Sequence, residues 1–329
     1  MREIQVPGIK IAIPVLGFGC SSLTSVGRKQ ALRLLESAFN AGIRHFDTAR
    51  YYGYGEAEGI LGTFLKSYRE QVTVTTKFGI DPPRRTSTLR IVLRVGRKIL
   101  RLVPSVRKAV QQRASSVLVK GNAFSVADAQ RNLETSLREL GTECIDFYLL
   151  HDYVPGSGSC DELVAFLQQA VSAGKVRHFG LGTSIDSVRR AIEAEPSLCG
   201  VLQFQNSVLT RNRERLPSRA SPPILVITHG AIGGAYRSLS AFVKADNNRV
   251  KEWSEELGLD CRDENSLVAL LLIYSVEANP GGLVLFSARS TDRIMRNAKA
   301  VFDPKITPSQ VKLFAQLVER NMLNQRKYS

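Results

Sequence analysis

The sequence predicts a (β/α)8 TIM barrel of the α/β class, preceded by an N-terminal β-hairpin and carrying a basic helical insertion after its third strand. Three observations lead there. Apolar stretches of strand length alternate with segments of helical periodicity, and eight such strand-then-helix steps can be counted along the 329 residues. This count and length fit a closed barrel better than an open doubly wound sheet. No G-x-G-x-x-G follows an early strand, which argues against a Rossmann unit. One domain over residues 1–329 is expected, because α/β barrels routinely exceed about 250 residues as a single unit.

The elements follow in order. Residues 3–14 alternate and turn at Pro7-Gly8, as a hairpin does. Val15–Gly19 reads as the first barrel strand. Arg28–Ala41 is the first helix, with Ala31, Leu34, Leu35 and Ala38 on one face and Gly42 closing it. Ile43–Phe46 is the second strand, and helical spacing resumes at Ala57 (Glu58, Ile60, Leu61, Phe64, Leu65) to about Tyr68. Val72–Thr76 is the third. Ser125 with Asp128 resembles a capping-box start for a helix that runs to Leu140 and stops at Gly141. The strand Ile145–Leu150, a helix from Asp161 to near Gly174, the strand His178–Gly182 and a helix over Ser187–Glu195 come next. Val201–Gln205 and Ile224–Thr228 are the sixth and seventh strands, and the helical signal is weakest after both. Leu267–Val276 is apolar enough for a buried helix, Gly281–Ser287 holds the last strand, and Thr291–Val301 its helix.

Composition narrows the class. With 43% hydrophobic and 23% charged residues, the chain can bury a large core. No apolar run approaches the roughly 18 residues that cross a bilayer. The opening MREIQVPGIK has no apolar h-region. The cysteines, Cys20, Cys144, Cys160, Cys199 and Cys261, are scattered without a C-x-x-C pair. A cytoplasmic protein with reduced thiols and no metal site is therefore expected.

The formal net charge is +15, and its location matters more than its size. Between 81 and 120 stand eleven Lys or Arg and one acid, Asp81, a net +10. A uniformly basic surface would point to nucleic acid. A single basic insertion over 81–122 does not, so no nucleic-acid partner is expected. Within it Leu89, Val92, Leu93, Gly96, Ile99, Leu100 and Val103 fall on one side of a helical wheel, with Arg90, Arg94, Arg97, Lys98 and Arg101 opposite. An insertion after the third strand emerges at the mouth of a barrel, where it would act as a flap. Residues 84–113 would also fit an anionic surface.

Parallel α/β folds put their chemistry at the carboxyl ends of strands. The string IRHFDTARYYGYGE (43–56) sets Asp47 to Tyr54 at such an end, VTVTTKFG (72–79) sets Lys77 there, and IDFYLLHD (145–152) sets His151 there. These three strings resemble the aldo-keto reductase family, whose members share an Asp-Thr-Ala, Tyr-Gly, Glu pattern followed by the strand-end lysine and histidine. The resemblance spans residues 11 to about 303, interrupted between Ile80 and Asn122.

It implies hydride transfer between a nicotinamide and a small carbonyl (aldehyde, ketone or sugar) or alcohol substrate, with NADPH (NADP+) as cofactor and NADH as the second candidate. By the resemblance Tyr52 is the general acid-base, Lys77 the ammonium beside it, Asp47 the carboxylate holding that ammonium, and His151 the group orienting the substrate oxygen. The acid precedes a glycine in the family, which selects Tyr52. Tyr51, Tyr54 and Asp152 fall to the substrate pocket. A phenol with an ordinary pKa near 10 suits this task if the ammonium lowers it.

Toward the cofactor the pattern loosens. Gly182-Thr183 stands where the family commonly has Ser-Asn on the nicotinamide carboxamide, and the threonine hydroxyl would replace part of that contact. Gln203 matches the family's carboxamide-binding glutamine. His229 takes the place of a stacking aromatic, and Gly230, Ile232 and Gly233 that of the pyrophosphate loop. SARSTDRIMRN (287–297) resembles the segment around the adenosine 2′-phosphate, with Arg289 as the phosphate contact and Ser287, Ser290, Arg293 and Asn297 around it. A guanidinium recognises phosphate through its fork of donors, which favours NADPH. Two other functions fit parts of the chain: a nucleotide-binding barrel with a regulatory role, given the altered Gly182-Thr183 site, and a membrane-surface or anion-binding protein using the insertion. The intact Asp, Tyr, Lys, His set favours the enzyme.

Overall fold

The computed structural model describes residues 2–82, 124–156, 160–217 and 223–323. The expected amphipathic insertion lies almost wholly outside them. The chain opens with the antiparallel pair β1 (Glu3–Ile4) and β2 (Ile13–Pro14), turned by Gly8 at φ 74°. This hairpin sits at the amino end of the strands, where His178 Nε2 meets the Pro7 carbonyl at 2.7 Å and Arg177 donates to the Gly8 carbonyl at 3.1 Å.

Eight parallel strands then close on themselves: β3 (Leu16–Gly19), β4 (His45–Asp47), β5 (Thr73–Phe78), β6 (Ile145–His151), β7 (Val176–Gly182), β8 (Val201–Gln205), β9 (Leu225–His229) and β10 (Leu283–Phe286), with β10 returning to β3. Their apolar runs have strand length because both faces are covered, the inner by neighbouring strands and the outer by helices. The register is what builds the site. Asp47 pairs with Thr75, Lys77 with Leu149, His151 with Gly182, Gly182 with Gln203, and Gln205 with His229. The polar residues at the strand ends therefore share one rim.

Around the barrel run α1 (Arg28–Asn40), α2 (Ala57–Tyr68), α3 (Val126–Leu140), α4 (Cys160–Ser172), α5 (Ile185–Ala194), α6 (Gly233–Lys244), α7 (Asn247–Leu257), α8 (Glu264–Glu277), α9 (Thr291–Phe302) and α10 (Pro308–Val318). The expected start and stop of α3 are present: the Ser125 side chain accepts from the Asp128 amide, and Gly141 closes the helix in the left-handed conformation. One expectation needs correction. The sixth step holds no α-helix among the described residues, only a 3-10 turn at Asn212–Arg215. There Arg211 is left-handed (φ 48°), and the side chains of Asn206 and Asn212 bond the backbone at Arg213 and Gln205, satisfying groups that a helix would have paired. The seventh step holds three helices, α6, α7 and α8, the last spanning the buried helix expected over Leu267–Val276.

Helix α8 is apolar nearly all round because it is covered on both sides. Leu272 and Val276 face the barrel core, while Leu267, Leu270, Leu271 and Tyr274 join Trp253, Leu257, Phe314 and Leu317 in a second core beneath α6, α7 and α10. Among the described residues no helix is long and apolar enough to cross a membrane.

Candidate active site

The tyrosine loop leaves β4 at Asp47 and is fixed by backbone bonds to the next strand. Thr48 N donates to the Thr75 carbonyl at 2.8 Å and Arg50 N to the Lys77 carbonyl at 3.2 Å. The loop then tightens into a 3-10 turn over Tyr52–Gly55, with Gly53 and Tyr54 left-handed. Gly53 is required here for space as well as conformation, since a methyl group on it would stand 2.1 Å from Thr24 Cγ2.

Beneath Tyr52 lies a buried ion pair. Lys77 Nζ donates to both carboxylate oxygens of Asp47 at 2.7 and 2.8 Å and to the Thr48 carbonyl at 2.8 Å, and the Tyr52 hydroxyl is also within its hydrogen-bonding reach. Lys77 and Asp47 are each 3% exposed. Burial works against the Lys77 charge, but Asp47 and Tyr52 outweigh it and hold its pKa above the ordinary value. Gln203 Nε2 donates to Asp47 at 2.9 Å, joining the sixth strand to the group. The Tyr52 ring lies 5.1 Å from the ammonium and meets the His151 ring edge-on at 5.9 Å. So Asp47, Tyr52, Lys77 and His151, far apart in sequence, converge at one rim.

Electrostatics correct the reading of Tyr52. Burial raises its pKa, the Lys77 charge opposes this, and Asp47 and Asp152 add to the rise, so that the phenol ends above its ordinary value. The ammonium is too well neutralised by Asp47 to win against desolvation. His151 is pushed down to about 3, first by burial and then by the Lys77 charge, so it is a neutral imidazole at physiological pH. Its Nδ1 is buried without a hydrogen-bond partner.

These groups form the floor of a cleft of about 1070 Å³ at the carboxyl end of the strands. Gly182, Thr183, Gln203, His229, Gly230, Ile232, Gly233, Ser287, Arg289, Arg293 and Asp152 line it as well. Tyr51, Tyr54, Ser290 and Asn297 lie outside that lining. The Tyr51 and Tyr54 rings meet each other, tilted, at 6.5 Å between centroids, on a loop where Tyr54 is left-handed. Ser290 stands at the N-cap of α9, and Asn297 is further along the helix. Asp186, Arg215, Arg237 and Glu264 also line the cleft, and the sequence reading missed them. Their signal was positional: Asp186 and Glu264 stand in the first turns of α5 and α8, whose starts face the barrel mouth.

The cofactor half can be tested for fit. Gln203 Oε1 is buried with no partner, so it can accept from an amide entering over the barrel centre. A methyl on Gly182 would stand 3.3 Å from that oxygen and 3.4 Å from Lys77 Cδ, so the glycine keeps the floor open. The Thr183 hydroxyl already donates to the Tyr153 carbonyl at 2.9 Å, which leaves it only accepting capacity. It cannot supply the donor half of the expected carboxamide contact. Helix α6 begins Gly233-Gly234 with no side-chain cap, and its first N–H groups are open to an anion at the cleft wall. His229 stands in the cleft wall, exposed on its open side. Burial lowers its pKa. The residues present fit a dinucleotide. No group of three or more His, Cys, Asp or Glu able to hold a metal occurs among the described residues.

A profile of the Aldo/keto reductase family matches residues 15–319. The chain belongs to that family. A probable aldo-keto reductase of Glycine max is 29% identical over 226 residues, 65% of this chain and 55% of that one. An aldo-keto reductase of Schizosaccharomyces pombe, named for NADP(+), is 24% identical over 266 residues, 75% of this chain and 68% of that one. The chain thus matches little more than half the length of the first of these relatives and about two thirds of the second. Among solved structures, the glycerol dehydrogenase of Gluconobacter oxydans superposes with a TM-score of 0.68 at 19% identity, covering 97% of this chain and 96% of that chain.

Proposed function

We propose that the protein is an NADPH-dependent oxidoreductase acting between small carbonyl compounds and the corresponding alcohols, with Tyr52 as the proton donor and acceptor. The observation that carries this is the buried Lys77–Asp47 pair beneath Tyr52 and His151, next to the partnerless acceptor Gln203 Oε1. Family membership and a relative named for NADP(+) support the cofactor.

When bound, a nicotinamide supplies or takes the hydride. The residues of the chain do the rest. Gln203 Oε1 would accept from the carboxamide, the open α6 terminus and Gly230 would face the pyrophosphate, and Arg289 the 2′-phosphate. His151, neutral, would donate one hydrogen bond to the substrate oxygen and fix it near Tyr52. Tyr52, protonated, would then give its proton to the oxygen as negative charge develops there. Lys77 stabilises the phenolate left behind, and Asp47 holds Lys77 in place. Of Asp152, Tyr51 and Tyr54, the residues expected at the substrate, only Asp152 lines the cleft.

Mixing the protein with NADPH and a panel of aldehydes, ketones and aldoses tests the proposal. Loss of NADPH absorbance with at least one carbonyl is expected, and Tyr52→Phe should remove it. Tight NADPH binding without turnover across the panel, and none with NADH, would leave a nucleotide-binding barrel in its place.

A further inference from the structure

Among the cleft residues outside the reacting group, one charged pair stands where cofactor choice would be made. Arg293, on the first turn of α9, is bonded to Glu264, on the first turn of α8, at 3.0 Å. Both line the cleft. Arg289 lines it too, is exposed, and has no hydrogen bond or ion pair among the described residues. The two guanidiniums of the SARSTDRIMRN segment that line the cleft, Arg289 and Arg293, are therefore in different states.

Glu264 is not needed as a helix cap. Asp263 does that work, accepting from the Asn265 and Ser266 amides. The Glu264 carboxylate reaches instead across to α9. The pair is open to water, with side chains 57% and 47% exposed, so it is cheap to break and Arg293 stays recruitable. A phosphate dianion arriving beside Arg289 must nonetheless draw Arg293 off the carboxylate and remain close to a like charge. A ribose hydroxyl meets no such opposition and can donate to Glu264.

We infer that Glu264 sets the margin between NADPH and NADH, holding back the 2′-phosphate and leaving NADH a usable cofactor. This rests on the reading that Arg289 contacts the 2′-phosphate. Removing one negative charge about 4 Å from a phosphate in a watery setting is worth about fivefold per unit of phosphate charge, and salt screening over about 8 Å brings the effect on a dianion down to about five- to tenfold.

Titrating the protein and Glu264→Gln with NADPH and NADH, by fluorescence or calorimetry, decides it. The preference for NADPH should rise about five- to tenfold in Glu264→Gln, mainly through tighter NADPH, and the gain should shrink as salt is added. Glu264→Asp, which keeps the charge, should stay near the unmodified ratio. Arg293→Gln should cost more NADPH affinity in the Glu264→Gln background than alone. A Glu264→Gln ratio within twofold of the unmodified protein overturns the inference. Arg289→Ala separates the two failures. If it collapses the preference while Glu264→Gln does nothing, only this inference falls; if it leaves the preference unchanged, the phosphate is held elsewhere and the cofactor reading falls with it.

Discussion

Tyr52 has a proton to give because burial keeps it. A phenol held above its ordinary value stays protonated throughout about pH 6–9, which is the form that reduction of a carbonyl consumes. The sign follows directly: below the raised value the donor is fully present, so the reduction rate should be flat over that range. Oxidation of an alcohol needs the phenolate, so its rate should climb with pH across the same interval. Tyr52→Phe should lower turnover roughly 10²–10⁴-fold with cofactor affinity nearly unchanged. Tyr51→Phe should be mild, since that ring faces Tyr54 instead of the cleft. Steady-state rates of both variants against pH check this, and loss of activity in the opposite order would move the acid to the neighbouring residue. Asp47, Lys77 and His151 were legible because a barrel turns each strand end into a place at one rim. Glu264 and Arg215 were not, because their pairing with Arg293 and Asp186 depends on how segments of different βα units meet at the rim.

At the scale of elements, the loop that carries Tyr52 depends on a carboxylate inside the protein. Glu58 is fully buried on α2 and accepts from Arg50 of the loop at 2.5 Å, from Thr76 of β5 at 2.7 Å and from Ser136 of α3 at 2.7 Å. It shares the buried face of α2 with Ile60, Leu61, Phe64 and Leu65. Glu58→Ala would leave Arg50 without its counter-charge and two hydroxyls without an acceptor, a loss of roughly 3–5 kcal/mol. Urea unfolding measures this, and a loss below about 1 kcal/mol would show that the loop does not need the clamp. Elements with local punctuation, such as α3 between Ser125 and Gly141, could be read from the chain. Helix α10 was missed although Thr307-Pro308-Ser309-Gln310 carries a full capping box with proline at the start. The helix expected after β8 failed for a reason outside local propensity: Asn206 and Asn212 take the backbone bonds themselves.

At the scale of the whole molecule, the eight strands that close the barrel all lie outside the segment that the sequence predicts to be a flap. Where that segment leaves, Gly79 (φ 106°) lies against Phe124, so closely that a methyl on the glycine would stand 2.2 Å from the ring. Phe124 also meets Phe78 edge-on at 6.0 Å and Tyr153 at 5.0 Å. The two flanks are thus pinned together at the cleft end of β5 and α3, and the chain between them can be shortened without pulling the strands apart. Loop length itself costs little, about 0.6 kcal/mol per doubling. Deleting residues 86–118 behind a short glycine linker should therefore leave a folded barrel with a melting temperature within a few degrees of the full chain. If the segment covers the substrate, KM should change more for large carbonyls than for small ones. The deletion also removes most of the net +10 of this stretch, so the salt dependence of KM for anionic substrates should weaken with it. A folded variant with unchanged kinetics toward large, small and anionic carbonyls would rule the flap out and leave the insertion free of any role in turnover.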